Sequence, residues 1–251
     1  MTDGGITVIT PTGDRPFAFS LLRDRWMPAQ RVQPDQWIIV DDGDVPYDTQ
    51  GLPDYADYVR RSPSASIEKI EPGDEIPKKY VKLRQHTLGA NLIAALDRVK
   101  CEHIFIMEDD DYYSPFYLAY MSGLINGHDC VGLWGTPYWH VLLMAYRVMS
   151  SRTGAALARM GFKKSFIPSV QKVCAGDVSI DSRICRRHRP HLVDGRHLNL
   201  HCSIKGMPGR RGAGVGHVNK NYTPDPDCVM LKRWCGEDAK VYLDLMERGF
   251  V

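Results

Sequence analysis

Four consecutive carboxylates in the first half of the chain are well suited to chemistry. Glu108, Asp109, Asp110 and Asp111 directly follow the apolar run 104–107, whose Ile and Phe residues are typical of a strand buried on both faces. Four adjacent carboxylates repel one another at pH 7, so their crowding requires compensation. Hard oxygen ligands of this kind suit Mg²⁺ or Mn²⁺, which usually keep open positions for substrate phosphates. The motif therefore predicts a divalent metal site, with a solvated acidic turn as the alternative.

Two earlier strands are predicted to lie in the same sheet. The β-branched run 6–10 is closed by the polar turn 11–16, and the apolar run 36–40 leads into Asp41 and Asp42. In a parallel α/β sheet, ligands collect beyond the carboxyl ends of the strands. We therefore expect the acids after the second strand to share one rim of the sheet with the four consecutive carboxylates.

The spacing of apolar residues between these strands indicates an α/β fold. Residues 17–26 and 88–99 have apolar side chains at the spacing of helices packed on a sheet. The apolar residues of segment 46–77 show only weak periodicity. We interpret this segment as a long loop with a short strand near 65–70, and we predict a further strand at 80–84. The alternation of strand and helix predicts βαβ units and a nucleotide-binding half.

The second half of the chain has weaker patterns, which we interpret element by element. We predict a helix at 115–124, a strand at 129–133, an aromatic-rich loop at 134–140, a strand or edge hairpin at 141–149, a helix at 151–160, a helix whose first turn includes Asp177, and an amphipathic C-terminal helix at 231–248. These elements would complete the sheet and cover it.

Two segments of the second half have an unusual composition. Segment 204–217 contains five glycines together with Arg210 and Arg211, which is incompatible with a regular element. Glycine lets the backbone approach a phosphate closely and arginine binds phosphate oxygens bidentately, so we interpret this segment as a functional loop rather than a linker. Segment 183–191 is strongly basic, and it is either a solvated surface or a surface that attracts a polyanionic acceptor.

The bulk properties exclude several classes of protein. The 251 residues are enough for one large or two small domains, and a net charge of +2 does not by itself indicate a nucleic-acid-binding protein. Seven scattered cysteines without a CxxC pair argue against a disulfide framework and a structural zinc site. The N-terminus has no signal-peptide pattern and no apolar run approaches a membrane span, so we expect a cytoplasmic protein in a reducing compartment.

Three segments of the first half match a known set of motifs in order and spacing. Segments 8–16, 38–43 and 108–115 resemble the first strand and loop, the second strand, and the DXD region of family 2 glycosyltransferases with the GT-A fold. The resemblance implies a single GT-A domain with a Rossmann-like, mostly parallel sheet flanked by helices. Residues 1–120 would bind a nucleotide sugar, and residues 121–251 would form the acceptor half, with the Gly-rich loop and the C-terminal helix.

The resemblance also implies a metal-dependent reaction with a nucleoside-diphosphate sugar as the donor. The residues assigned to donor binding are Pro11, Thr12, Asp14, Arg15, Asp41, Asp42, Asp109, Arg210 and Arg211. Among these, either Asp41 or Asp42 would bind the base of the nucleotide. Asp110 would hold Mn²⁺ or Mg²⁺, and a late histidine, His217 or otherwise His201, would complete the metal site.

In family 2 glycosyltransferases, a pair of acidic residues lies at the start of a helix, and the Asp of this pair is the general base. Segment 175–184 keeps the spacing of that helix, so Asp177 inherits the role. Because Gly176 replaces the first acid of the pair, Asp181 is a rival for it. The base would remove the proton of an acceptor hydroxyl, and attack opposite the diphosphate would invert the configuration. A purely capping role for Asp177 is the alternative.

The sequence leaves alternatives open for the acceptor and for the class of reaction. A saccharide is the usual acceptor of the family, whereas the basic segment 183–191 permits a hydroxylated base in DNA. A nucleotidyltransferase also combines a Rossmann-like sheet, acids and a metal, but its Gly-rich loop usually follows the first strand. A non-catalytic nucleic-acid-binding protein would use the basic half and would leave the acids unexplained.

Overall fold

The structure, a computed structural model, describes residues 4–62, 87–176, 179–210 and 221–247. The strands in these ranges are β1 (Ile6–Thr12), β2 (Gln36–Asp41), β3 (Ala56–Arg60), β4 (His103–Ile106), β5 (Asp111–Tyr113), β6 (Cys130–Trp134), β7 (Pro137–His140), β8 (Ala145–Val148), β9 (Met160–Lys163), β10 (His191–Asp194), β11 (His201–Lys205) and β12 (Thr223–Pro224). The α-helices are α1 (Pro16–Leu21), α2 (Leu88–Leu96), α3 (Tyr117–Ile125), α4 (Ile167–Cys174), α5 (Ile180–His188), α6 (Val229–Cys235) and α7 (Ala239–Glu247). The π-helical turn Leu22–Trp26 continues α1.

The main sheet of the described residues has the strand order β10-β6-β9-β4-β1-β2-β3. Strand β1 is parallel to both β2 and β4, whereas β9 is antiparallel to its two neighbours. Every residue of β1, β2 and β4 is buried, which explains their apolar and β-branched sequences. The predicted α/β class with a mostly parallel sheet is confirmed, and the carboxyl ends of these three strands meet at one edge.

A second sheet has the strand order β12-β8-β7-β11-β5. Strand β5 pairs antiparallel with β11, so that Ser203 lies opposite Asp111. The acidic motif therefore leaves the main sheet at the end of β4 and enters the second sheet at β5. This crossing places β11, which is distant in sequence, directly beside the carboxylates.

Helices cover both faces of the main sheet. One cluster of buried side chains contains Trp37 and Phe105 together with Tyr117 of α3. The opposite face has a second cluster, in which Ile104 lies with Leu92 of α2. Successive residues of a strand point to opposite faces, so neighbouring positions of β4 supply both clusters. This two-sided burial holds the strand ends in fixed positions.

Three predictions for the second half are wrong. The aromatic segment predicted as a loop contains β7. The helix predicted at 151–160 is replaced by the 3-10 turn Leu157–Arg159 and the start of β9, because pairing with β4 and β6 overrides the local helix propensity. The single C-terminal helix is divided into α6 and α7 at Gly236, whose φ of 58° no helix adopts.

Strands β3, β10 and β11 were not predicted. Strand β3 lies in segment 46–77, which was interpreted as a long loop. Strand β11 includes Ile204 and Lys205, the first two residues of the segment interpreted as irregular. The strands predicted near 65–70 and at 80–84 lie outside the described residues. The helix predicted around Asp177 begins at Ile180, and Asp177 itself is outside the described ranges.

Two further predictions concern the chain as a whole. No helix in the described ranges is both long enough and apolar enough to cross a membrane. All seven cysteines lie in described ranges and are free thiols, which agrees with the expectation that the fold has no disulfide framework.

Candidate active site

Arg15 lies between two of the four consecutive carboxylates. Its Nη2 and Nη1 atoms are 2.8 Å from Asp109 Oδ1 and 2.9 Å from Asp110 Oδ2. Thr12, the last residue of β1, donates a 2.5 Å hydrogen bond to Asp109 Oδ2, and the backbone N–H of Arg15 donates to the Tyr47 hydroxyl at 2.7 Å. Burial raises the pKa of Asp109 to about 6, although the charge of Arg15 opposes this shift. The loop after β1 is thus joined to the acidic motif by charge.

Asp111 is held by four groups of β11. Its Oδ1 accepts hydrogen bonds of 3.2 Å from the Ile204 N–H and from Lys205 Nζ. Its Oδ2 accepts a 3.0 Å bond from the Ser203 hydroxyl and lies 2.9 Å from His201 Nε2. Burial would raise the pKa of Asp111, but Lys205 and His201 outweigh it and the pKa is lowered. Because a carboxylate has about four lone-pair positions, Asp111 has no free acceptor position and serves to anchor the acidic motif to β11 within the second sheet.

Glu108 and Asp110 are the better placed carboxylates for a cation. One oxygen from each of Glu108, Asp110 and Asp111 lies within 4.8 Å of the others. Asp110 Oδ1 is buried and has no hydrogen-bond partner among the described residues. Burial and the charges of Asp111 and Asp110 raise the pKa of Glu108 to about 8. A set of hard oxygens with one buried, unpaired atom fits a divalent ion such as Mg²⁺ or Mn²⁺.

The charges of this cluster, when all four carboxylates are ionised, do not balance. Arg15 and Lys205 are the two cations of the described residues that form ion pairs with these acids, and Lys205 Nζ is also 3.6 Å from Asp110 Oδ2. Four negative charges against two positive charges leave −2. His201 is neutral in this count, because burial lowers its pKa despite the hydrogen bond with Asp111. One divalent cation would neutralise the remainder.

The structure distinguishes Asp41 from Asp42 at the end of β2. Asp41 Oδ2 accepts a 2.5 Å hydrogen bond from the Tyr58 hydroxyl and lies 3.0 Å from Arg60 Nη1, while its Oδ1 accepts a 2.8 Å bond from the Gly43 N–H. Asp41 is therefore occupied by contacts within the protein. Asp42 Oδ2 is buried without a hydrogen-bond partner in the described part of the chain, so Asp42 is the carboxylate with a free oxygen.

Arg210 reaches the loop after β1 from the Gly-rich segment. It donates to Asp42 Oδ1 at 2.8 Å and to Asp14 Oδ2 at 2.7 Å, and its backbone N–H donates to the Asp14 carbonyl at 3.0 Å. Gly209 has a φ of 106°, and a Cβ there would overlap the Asp14 carbonyl and Arg15, so glycine is required for this approach. This geometry places Arg210 at the carboxyl edge of β1 and β2, and its role in donor binding stays a prediction.

Asp181 lies in the first turn of α5 and is half-buried. Burial raises the pKa of Tyr138 to about 12, and the charge of Asp181 adds to this shift while Lys205 opposes it. Lys205 Nζ lies 5.8 Å from the centre of the Tyr138 ring. Asp181 is thus electrostatically connected, through Tyr138, to the acidic cluster. The guanidinium of Arg183 occupies the space beside Gly176, so a side chain at that position would overlap it.

Three assigned residues, Asp177, Arg211 and His217, lie outside the described residues. His201, the alternative metal ligand, is fully buried and directs Nε2 at Asp111 instead of joining the group of Glu108, Asp110 and Asp111. The structure places the remaining residues assigned to donor binding at one edge of the sheet, with Pro11 in β1 directly before the Thr12–Asp109 contact.

Sequence reasoning missed three side chains of this site. Lys205 was included in the segment interpreted as irregular, although the alternation in residues 201–205 is a strand signal. Arg60 and Tyr58 lie on β3, which was not predicted, and both contact Asp41. Each of these contacts depends on strand pairing and is not evident from local sequence.

The comparisons with known proteins define the class of fold. No protein-family model and no curated protein matches the chain. The chain is similar in structure to S. aureus TarS residues 1–349 in complex with UDP, with a TM-score of 0.52 and 10% sequence identity over 80% of this chain and 60% of that one. It also aligns with another S. aureus TarS structure, with a TM-score of 0.49 and 11% identity over 76% of this chain and 35% of that one.

The likeness with the TM-score of 0.52 confirms the predicted GT-A-type, family 2-like glycosyltransferase fold. The chain spans 60% and 35% of the two TarS chains, less than two thirds of either. At about one identical residue in ten, the comparison concerns the fold alone.

Proposed function

We propose that the protein is a metal-dependent glycosyltransferase that moves a sugar from a nucleoside-diphosphate sugar to an acceptor hydroxyl. The observation that carries the proposal is the convergence of four segments at the carboxyl edge of β1, β2 and β4. The loop after β1, the acids after β2, the motif 108–111 and Arg210 meet there. When all four carboxylates of the motif are ionised, the net charge at the same place is −2, which a divalent cation would neutralise while supplying positive charge to the diphosphate.

Asp42 binds the base of the donor nucleotide in this proposal, because Asp41 is occupied by Tyr58 and Arg60. Pro11 and Thr12 flank the base, and Asp109 reaches the ribose. The UDP in the similar TarS structure supports a nucleotide donor.

Glu108 and Asp110 would hold Mn²⁺ or Mg²⁺, with His217 as a further ligand. When bound, the metal supplies positive charge that stabilises the departing diphosphate. Arg15 orients Asp110 through their ion pair. Arg210 exchanges its carboxylate partners for phosphate oxygens, and together with Arg211 it excludes water from the bond that breaks.

An aspartate of the second half accepts the proton of the acceptor hydroxyl. Asp177 and Asp181 are the two residues proposed, and the charge of Asp181, which acts on the pKa of Tyr138, supports the second. The hydroxyl oxygen forms a bond to the anomeric carbon while the bond to the diphosphate breaks, and attack from the opposite side inverts the configuration. An NMR spectrum of the product that shows a retained anomer contradicts this stereochemistry.

The same proposal divides the chain into two functional halves in a single domain. Residues 1–120 bind the donor, and residues 121–251 bind the acceptor, which is a saccharide or a hydroxylated base in DNA. We further propose that the reaction takes place in the cytoplasm, where nucleotide sugars and free thiols coexist.

A thermal-shift screen of nucleoside diphosphates, with and without Mn²⁺, tests the proposal. One nucleotide is expected to raise the melting temperature only when Mn²⁺ is present, and Asp110→Asn is expected to abolish that shift. Asp129→Asn is the matched control, because Asp129 is an exposed acid paired with Lys163. Release of pyrophosphate instead of a nucleoside diphosphate would indicate a nucleotidyltransferase. An active Asp110→Ala variant would indicate that the acids are not catalytic.

A further inference from the structure

Helices α4 and α5 form a surface groove that is lined almost entirely by basic side chains. The groove has a volume of about 410 Å³, and its lining residues are Lys172, Val173, Arg183, Arg186 and Arg187. No carboxylate of the described ranges lines it. Among the described residues, none of its four cations forms an ion pair, in contrast to Arg15, Arg60 and Arg210 of the candidate active site.

The helical repeat explains why these charges gather. Arg183, Arg186 and Arg187 are three and four residues apart, so they share one face of α5, whereas Ile180 and Ile184 are buried on another. Arg187 Nε donates to the Ser169 hydroxyl of α4, which fixes one wall of the groove. The cations are thus held close together, at a cost in mutual repulsion that a bound polyanion would remove.

We propose that this groove binds the phosphodiester backbone of a nucleic acid. Three of its four cations are arginines, whose planar guanidinium groups bind phosphate oxygens bidentately. Spacing of one helical turn, about 5.4 Å, allows neighbouring side chains to contact successive phosphates. Clustered cations without acidic partners are the electrostatic footprint of a nucleic-acid-binding surface.

A water-soluble polyanion fits the groove better than a membrane surface does. Binding at a membrane interface requires apolar side chains beside the cations. The exposed large apolar side chains of the described residues lie elsewhere: Val45, Phe116, Leu142, Leu143, Met144, Val148 and Val229. None of them belongs to α4 or α5.

This inference deepens the proposed function by naming nucleic acid as the carrier of the acceptor hydroxyl, and it rests on that function only for the transfer step. Binding itself is measured without donor or metal. The groove and the donor site share no residue, so the two proposals can fail separately.

Fluorescence anisotropy of a labelled DNA duplex tests the groove. The variant Lys172→Gln/Arg183→Gln/Arg186→Gln removes three charges from it, and Lys232→Gln/Arg233→Gln/Lys240→Gln removes three exposed charges from α6 and α7. The groove variant is expected to bind about tenfold more weakly at about 50 mM salt, with a log Kd against log salt slope lower by about 3. The control variant is expected to bind like the wild type.

Several results would overturn the proposal. They are undetectable wild-type binding at low salt, equal weakening by both variants, and heparin or anionic lipid vesicles that bind the groove as tightly as DNA does. Thermal shift with nucleoside diphosphate and Mn²⁺ is measured on the same samples. An unchanged shift in the groove variant shows that it is folded and that its donor site is intact, so a loss of DNA binding concerns the groove alone.

Discussion

Arg210 donates a 2.8 Å hydrogen bond to Asp42, a residue that precedes it by 168 positions in the chain. The bond ties the Gly-rich segment to the end of β2, where the base of a donor nucleotide is proposed to bind. Only one side-chain oxygen of Asp42 accepts a hydrogen bond within the described residues, and the other is buried, with Arg61 Nη1 3.9 Å away. The pair therefore holds the site together while it leaves one acceptor available.

A double-mutant cycle measures the strength of this pair. Arg210→Gln is expected to lower the free energy of unfolding by about 2 kcal/mol, because it removes the closer cation of the buried Asp42 and leaves Arg61 Nη1 at 3.9 Å. Adding Asp42→Asn is expected to recover part of that loss, with a coupling energy of about 1–2 kcal/mol in urea denaturation. Arg23→Gln, which breaks an ion pair with the exposed Asp24, is the control and is expected to change stability by less than about 0.5 kcal/mol. Additive effects of the two substitutions would contradict the pairing.

Lys205 is expected to be essential for stability in the absence of metal. Lys205→Met leaves Arg15 as the one cation that touches the four carboxylates, so the free energy of unfolding is expected to fall by about 3 kcal/mol. Mn²⁺ is expected to stabilise this variant more than the wild type, because it offsets a larger negative charge. Lys163→Met removes a lysine whose partner, Asp129, is exposed, and it serves as the control. Wild-type stability of Lys205→Met without metal would exclude this role.

Glu108 is expected to make stability depend on pH. Its pKa is raised to about 8 in the folded protein, chiefly by burial and then by Asp111 and Asp110. Between its unfolded pKa, about 4.3, and about 8, the unfolded chain therefore binds fewer protons, and this residue's contribution to stability falls as pH rises. Relative to wild type, metal-free Glu108→Gln is expected to become more stable across this window, by about 1.4 kcal/mol for each pH unit.

The measurement for Glu108 is urea denaturation at several pH values. Exposed Glu237→Gln is the control, and its difference from wild type is expected to be independent of pH. Mn²⁺ is expected to reduce the effect of pH on the wild type. A constant difference between Glu108→Gln and wild type from pH 5 to pH 8 would show that the carboxyl is not buried among like charges.

The effect of an Asn substitution on kcat is expected to distinguish between Asp177 and Asp181 as the general base. Asn at the position of the general base is expected to lower kcat by about 10²–10⁴-fold with little change in the KM for the donor, because only proton removal is lost. Asn at the other position is expected to lower kcat by less than about tenfold. Comparable small losses in both variants would show that neither residue removes the proton.

Local sequence was sufficient to predict those elements of this protein that depend on interactions between neighbouring residues. Strands β1, β2 and β4 were predicted because their apolar, β-branched residues are contiguous, and their order in a parallel sheet places Asp42 and Asp109 at one edge. Helices α2 and α3 follow from apolar spacing. The resemblance to GT-A glycosyltransferases rests on these same local segments.

The pairing of the acidic motif with its cations became evident only from the tertiary structure. Lys205 and His201 reach Asp111 because β11 pairs with β5 across about 90 positions of sequence, with Ser203 opposite Asp111. A shift of this register by one residue would turn each of these side chains to the other face of the sheet. Local sequence predicts a strand and the acids that follow it, but the cations that compensate those acids are chosen by long-range pairing, and that depends on how the whole chain packs.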